Sequence, residues 1–151
     1  MRIIRGDTTN IERFLNIGVI PIISGDMVPD RTMGYSVLSG DQILLDLAKK
    51  FQPKKIILGS DVDGLFDSDP KVNPNAQLIP EVTENKIKGL IQQLEGGDAS
   101  GQMKGKLIEI KNLLDLGFRD ILLLNINKPG VLKKAVSENS GRFTRFRRKF
   151  T

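Results

Sequence analysis

The sequence predicts an α/β protein whose mainly parallel sheet is covered by helices on both faces. Three runs of unbroken apolar character at strand length carry this reading: "VIPIIS" at 19–24, "KKIILG" at 54–59 and "DILLLN" at 120–125. A strand that is apolar at every position is buried on both sides, as in a parallel sheet. The segments between these runs space their apolar residues at helical intervals, which gives the alternation of an α/β fold. No internal repeat, low-complexity stretch or inter-domain linker interrupts the 151 residues, so the length reads as one domain.

Taken in order, "TTNIERFLNIG" reads as a short helix. Thr9 and Glu12 have capping-box spacing, Ile11, Phe14 and Leu15 share a face, and Gly18 can provide a left-handed stop. "VIPIIS" is the first buried strand, followed by a turn at Gly25 and Asp26. "MVPDRTMGYSVL" reads as two short strands around an Asp-Arg-Thr turn. Residues Gln42 to Phe51 form a helix with Ile43, Leu44, Leu47, Ala48 and Phe51 inward, and "KKIILG" is the second buried strand. After "QLIPEV" comes a helix around Asn85 to Leu94, then a loop from Gly96 and a helix from Leu107 to Leu116 stopped by Gly117. "DILLLN" is the third buried strand, and "KPGVLKKAVSE" is a last helix with Pro129 near its first turn.

Composition narrows the chemistry. Without cysteine or histidine there is no disulfide, no thiolate or imidazole metal site and no Ser-His-Asp triad. No apolar run approaches the ~20 residues of a membrane span, and the first residues lack the pattern of a signal peptide, so the expected location is cytoplasmic with no membrane partner. The net charge of +5 sits in "RFTRFRRKFT", residues 142–151. Without its five cations the rest balances at eighteen basic against eighteen acidic residues. Residues 141–151 therefore read as a disordered basic tail behind a domain of residues 1–140. Nucleic acid is not the expected partner, because a charged terminus is more often simply solvated.

Polar clusters after strands mark where ligands bind in open α/β sheets. "ILGSDVDGLFDSDP" sets Asp61, Asp63, Asp67 and Asp69 in one loop. An EF-hand needs oxygen ligands at positions 1, 3 and 5, Gly at 6 and Glu at 12; neither frame of this loop supplies them, and no metal-ligating set is expected. A plain Asp/Gly/Pro turn is the alternative. Ser39, Gly40 and Asp41 stand at a helix start, either as a cap with a dipole-complementing acid or as an anion site. "SGQMKGK" puts Lys104 and Lys106 at another helix start, where cations oppose the dipole unless an anion is bound. The spacing is not that of a Walker A loop.

In combination and in this order, the motifs resemble the amino acid kinase family. "SDVDGLFDSDPKVNPNAQLI" is similar to its T-D-V-D-G signature, with Ser60 where Thr is usual, and "GDASGQMKGK" to its later T-G-G-M-x-x-K loop. "VIPIISGDMVPD" and "YSVLSGDQILLDLAKKF" are most like the isopentenyl phosphate kinases within it. The resemblance runs from about Ile4 to about Val136 and covers roughly the C-terminal half of the family's three-layer sandwich. It implies ATP with Mg²⁺, and isopentenyl phosphate or a similar small phosphate as acceptor. On this resemblance Ser60, Asp61, Val62, Asp63, Gly64, Phe66 and Asp67 border the nucleotide with Gln102 and Met103. Lys106 neutralises the transferring phosphoryl, Asp41 orients the catalytic lysines, and Leu38, Ser39 and Gly40 lie against the acceptor phosphate. The family's K-x-G-G-S and H-G-G-G segments do not occur, which implies a separate N-terminal half or a homodimer partner. Gln102 stands where the family has glycine, and the basic tail stands where it has a closing strand.

Overall fold

The computed structural model describes residues 7–95 and 101–148, with the backbone alone at residues 95, 101 and 102. The chain divides into two compact units, Met1–Gln52 and Pro53–Thr151.

In the first unit, α1 (Thr9–Asn16) starts one residue earlier than the capping-box spacing suggests, with Thr8 as N-cap. Thr8 Oγ1 donates to Glu12 Oε1 (3.0 Å) instead of capping an amide, and Asp7 Oδ1 takes the Thr9 N–H at 2.9 Å. Glu12 also pairs with Lys50 Nζ at 2.8 Å. Gly18 follows with φ +77°. The expected strand "VIPIIS" does not form: residues 19–25 have no regular structure, and Ile20 and Ile22 are 85% and 98% exposed. A strand needs a neighbour for its N–H and C=O groups, and no described segment pairs with this one.

The hairpin does form, as β1 (Asp26–Asp30) and β2 (Gly34–Leu38), antiparallel with Val28 opposite Ser36. Its turn is organised by Asp30, whose Oδ1 accepts from Thr32 N–H (2.8 Å), Thr32 Oγ1 (2.7 Å) and Met33 N–H (3.0 Å). These bonds, led by the Thr32 hydroxyl, stabilise the carboxylate and lower the Asp30 pKa from 3.8 to about 2. Helix α2 (Gly40–Phe51) follows, opened by a capping box between Ser39 and Gln42.

In the second unit, β3 (Ile56–Ser60), β4 (Glu81–Thr83), α3 (Glu84–Glu95), α4 (Gly101–Asp115), β5 (Ile121–Asn125), α5 (Val131–Ser137) and β6 (Phe143–Arg147) follow in order. The sheet runs β3-β5-β6-β4, with β3 parallel to β5, β4 parallel to β6, and β5 antiparallel to β6. Every residue of β5 is buried. Leu122 and Leu124 pack with Ala135 of α5, so Ile121 and Leu123 point to the opposite face and are covered there too. Leu107, Ile110, Leu113 and Leu114 of α4 recur at helical spacing and are fully buried. Gly117, at φ +96°, ends that helix in the left-handed region. Helix α4 begins at Gly101, six residues before the expected start, which puts Lys104 and Lys106 inside it. Pro129 precedes the N-cap Gly130 of α5 and so lies just outside that helix. Among the described residues no helix is long and apolar enough to cross a membrane.

The basic tail is the largest departure from expectation. Phe143–Arg147 form β6 in the interior of the sheet, burying Thr144 and Phe146 completely. Its cations meet acids: Arg142 with Asp63 (2.9 Å), Arg145 with Asp120 (3.3 Å), Arg147 with Glu81 (3.6 Å) and Arg148 with Glu84 (3.3 Å). The alternation of Thr144 and Phe146 inward against Phe143, Arg145 and Arg147 is a strand period, masked in the sequence by the density of charge. The remaining residues, 149–151, lie outside those described.

Thr144 does more than fill space. Its Oγ1 accepts the Leu65 N–H at 2.8 Å and donates to the Ile79 carbonyl at 2.7 Å, holding both arms of the aspartate loop on β6. A Cβ at Gly64 would stand 2.5 Å from that Oγ1 and 2.8 Å from the Thr144 backbone nitrogen. Thr144→Val keeps the shape but strands one buried donor and one acceptor, and should cost about 2–4 kcal/mol in urea unfolding with little change in m. Gly64→Ala should destabilise in the same assay, because the clash is partly with backbone that cannot swing away.

A second expectation concerns pH. The Asp30 carboxylate, with folded pKa about 2 against 3.8 unpaired, contributes hairpin stability that is full above 3.8 and lost as pH falls through about 2. The amide resonances of Thr32 and Met33 should therefore titrate with a midpoint near 2, and Asp30→Asn should abolish that transition.

Candidate functional site

Within the second unit, a cleft of about 200 Å³ opens at the carboxyl end of β3. One wall is the aspartate loop, from Ser60, Asp61 and Val62 through Gly64 to Lys71. The other is helical: Leu94 from α3, Met103 and Lys106 from α4. Eight of the sequence-predicted residues are thus brought onto one cleft: Ser60, Asp61, Val62, Gly64, Phe66, Asp67, Met103 and Lys106. They come from two segments about forty residues apart in sequence.

The loop's four carboxylates have distinct structural partners. Asp61 pairs with Lys71 Nζ at 2.6 Å, and that bond lowers the Asp61 pKa and raises that of Lys71. Both side chains are more than half exposed, so the pair adds little to stability. Asp67 Oδ1 accepts the Gln77 N–H (2.9 Å) and the Ser68 hydroxyl (3.1 Å), closing the loop across its neck. Phe66 pairs with Leu78 beside it in an isolated antiparallel bridge. Asp69 Oδ1 accepts the Lys71 N–H at 2.9 Å in an Asx turn, as the turn reading expects.

Asp63 stands apart. It is buried, does not line the cleft, and is held between Lys128 Nζ (2.6 Å) and Arg142 Nε (2.9 Å), with Asn125 Nδ2 at 3.4 Å. Asn125 Nδ2 also donates to the Asp61 carbonyl at 3.0 Å, so the end of β5 fastens the loop from beneath. A buried carboxylate with two cations and an amide is anchored. Of the loop residues that the resemblance sets beside a nucleotide, Asp63 is the one that does not line the cleft.

Lys106 is different again. It is half-buried in the second turn of α4 with its side chain on the cleft, and it has no ion pair or hydrogen bond among the described residues. Its basic neighbour along the cleft, Lys71, already has a carboxylate. The Gln102 side chain lies outside the described residues. Leu94 and Lys71 were not singled out from the sequence. Leu94 is one apolar residue of an amphipathic helix, without a local signal, whereas Lys71 directly follows the Asp-Pro pair and could have been noticed.

In the first unit, Ser39 Oγ accepts the Gln42 N–H (3.3 Å) and Gln42 Oε1 accepts the Ser39 N–H (3.2 Å). The cap reading of Ser39 therefore describes its present contacts. The amides of Gly40 and Asp41 in the same turn have no partner among the described residues, and the Asp41 carboxylate is exposed. Leu38 ends β2 directly before them, and its carbonyl would be 2.5 Å from a Cβ at Gly25, so only glycine fits there. Among the described residues no three acidic side chains converge as a metal site.

Comparison with known proteins accounts for this arrangement. The model of the amino acid kinase family matches residues 1–125. An isopentenyl phosphate kinase of Methanothermobacter thermautotrophicus is 32% identical over 146 residues, 95% of this chain and 54% of the relative. A glutamate 5-kinase of Shewanella oneidensis is 32% identical over 150 residues, 90% of this chain and 39% of the relative. A solved isopentenyl phosphate kinase superposes with a TM-score of 0.73 at 30% identity, covering 95% of this chain and 52% of that one. The chain spans about half the length of the isopentenyl phosphate kinases it matches. With its α/β fold, its strand-end loop and its lysine-bearing helix in the family's order, the chain belongs to the amino acid kinase family.

Proposed function

We propose that this chain carries the nucleotide-binding part of a kinase that transfers the γ-phosphoryl of ATP to a small phosphate, with isopentenyl phosphate as acceptor and isopentenyl diphosphate and ADP as products. The observation that carries the reading is Lys106, a cation on the cleft that forms no ion pair with the described residues. An ammonium on a cleft with no acid of its own is available to an anionic group. Phosphoryl transfer consists chiefly of positioning and of neutralising charge on the phosphoryl oxygens, work suited to such a lysine in the second turn of a helix.

Val62, Leu65, Phe66, Leu94 and Met103 offer apolar surface to a base, while Ser60, Asp61 and Asp67 offer acceptors to hydroxyl or amino groups. Gln102 belongs to the same loop by resemblance. Mg²⁺ would accompany the triphosphate and help neutralise the charge on its oxygens. On the acceptor side, the resemblance sets Leu38, Ser39 and Gly40 against a phosphate, and the amides of Gly40 and Asp41, without a partner among the described residues, are the groups that would meet it. The isopentenyl phosphate kinase relatives support this acceptor; the glutamate 5-kinase relatives make glutamate the first competitor, and uridylate the next.

Calorimetric titration of the chain with Mg-ATP and with adenosine tests the reading. Lys106→Met should weaken Mg-ATP binding by about 10- to 100-fold and leave adenosine unchanged. Absence of ATP binding by the unmodified chain, or indifference to Lys106→Met, would overturn it. Transfer of labelled γ-phosphate to isopentenyl phosphate, glutamate or uridylate, assayed with the rest of the family fold supplied, then identifies the acceptor. Binding without transfer to any of them would favour a nucleotide-binding protein that does no chemistry.

A further inference from the structure

Val62 and Gly64, on either side of Asp63, line the cleft, whereas Asp63 does not and bonds instead to Lys128 Nζ (2.6 Å) and Arg142 Nε (2.9 Å). The bonds around it come from the same two parts of the chain. Ile126 N–H reaches the Ser60 carbonyl (3.0 Å), Asn125 Nδ2 the Asp61 carbonyl (3.0 Å), and the Leu65 N–H donates to Thr144 Oγ1 (2.8 Å). Asn125 is oriented in turn by the Asn127 N–H on its Oδ1 (3.0 Å), which leaves its amide nitrogen for the loop. Backbone groups thus hold Ser60, Asp61 and Leu65, and a charged contact holds Asp63 between them. That contact is unequal in burial. The Asp63 side chain is 10% exposed, those of Lys128 and Arg142 54% and 64%. The carboxylate depends on its partners, whereas either cation can return to water.

We propose that Lys128 and Arg142 are positioning residues of the nucleotide site: with Asp63 they form an ionic clasp that sets the position of the cleft wall without touching the ligand. This role presupposes that the cleft binds nucleotide. Neither cation lines the cleft, so each acts through Asp63 and the loop. A clasp and a direct contact leave different signatures. Lys106 lies on the cleft and meets phosphate, so its loss is confined to phosphate-bearing ligands. The clasp works through the wall made by Val62, Gly64 and Phe66, which meets the nucleoside, so its loss weakens adenosine and Mg-ATP alike. Burial also ranks the clasp variants. Removing both cations strands a buried carboxylate beneath the loop, whereas removing the carboxylate leaves two cations in water, a milder change. Removing all three groups takes the stranded charge away again.

Calorimetric titration of the full chain with adenosine and with Mg-ATP, at a temperature where each variant is folded by circular dichroism, tests the clasp. Lys128→Met/Arg142→Met should weaken both ligands by a similar factor, about 5- to 20-fold. Asp63→Asn alone should weaken them less, and Asp63→Asn added to the double variant should recover most of the loss. Lys128→Arg/Arg142→Lys, which keeps both charges, should bind nearly as the unmodified chain does. A merely structural clasp would lower the unfolding temperature and leave these affinities unchanged. Unchanged affinities, a loss confined to Mg-ATP, or no recovery on adding Asp63→Asn would each overturn the proposal. Amide hydrogen exchange of residues 61–67 reads the loop without ligand: it should quicken about tenfold in the double variant and slow again in the triple one. If the unmodified chain binds neither ligand, the nucleotide reading fails on that result, and the exchange rates decide whether the clasp holds the loop; unchanged rates overturn it. Should the double variant not fold, Lys128→Met alone takes its place.

Discussion

The Thr144 hydroxyl is the contact on which the second unit's architecture turns. By taking the Leu65 N–H and giving its proton to the Ile79 carbonyl, it joins both arms of the aspartate loop to the interior of the sheet. The hydroxyl and its bond from the Leu65 N–H are buried, so that amide has no water as an alternative partner. Gly64 must be glycine because the loop lies directly against that hydroxyl and its backbone. The position of the cleft wall therefore depends on a strand nearly eighty residues further along the chain.

Around that anchor, charge is divided by depth. Beneath the loop, Asp63 draws Lys128 and Arg142 together, and Asn125 ties the loop backbone to the end of β5. At the rim, Asp61 and Lys71 form an exposed pair that solvent screens. Lys106 alone on the cleft has no described acid. The cleft thus combines a loop fastened from the sheet with one lysine that pairs with no described acid.

The first unit follows a different logic. Its local geometry is well determined: a capping box opens α2 and one carboxylate organises the hairpin turn. Its apolar residues nevertheless face outward. Local hydrogen bonds set the shape of elements, but burial is what gives them stability, and burial needs a second surface.

Much was legible in the sequence, for local reasons. The capping residues of α2, the hairpin, the stop at Gly117 and the strands Ile56–Ser60 and Ile121–Asn125 each depend on neighbours a few residues away. The ordered motifs were enough to find most of the cleft, because a strand-end loop and a helix start are recognisable pieces. Strand pairing is not local. "VIPIIS" has the chemistry of a buried strand and no strand beside it among the described residues, while "FTRFR" has the charge of a solvated tail and lies between β5 and β4. Cations crowd that segment, and their acids, Asp63, Asp120, Glu81 and Glu84, are scattered along the chain. The sequence by itself determined which segments could be helices, turns and strands, and most of the residues that line the cleft. Only the tertiary structure decided which strands found partners and which aspartate became an anchor, because those outcomes depend on burial and charge brought together from distant parts of the chain.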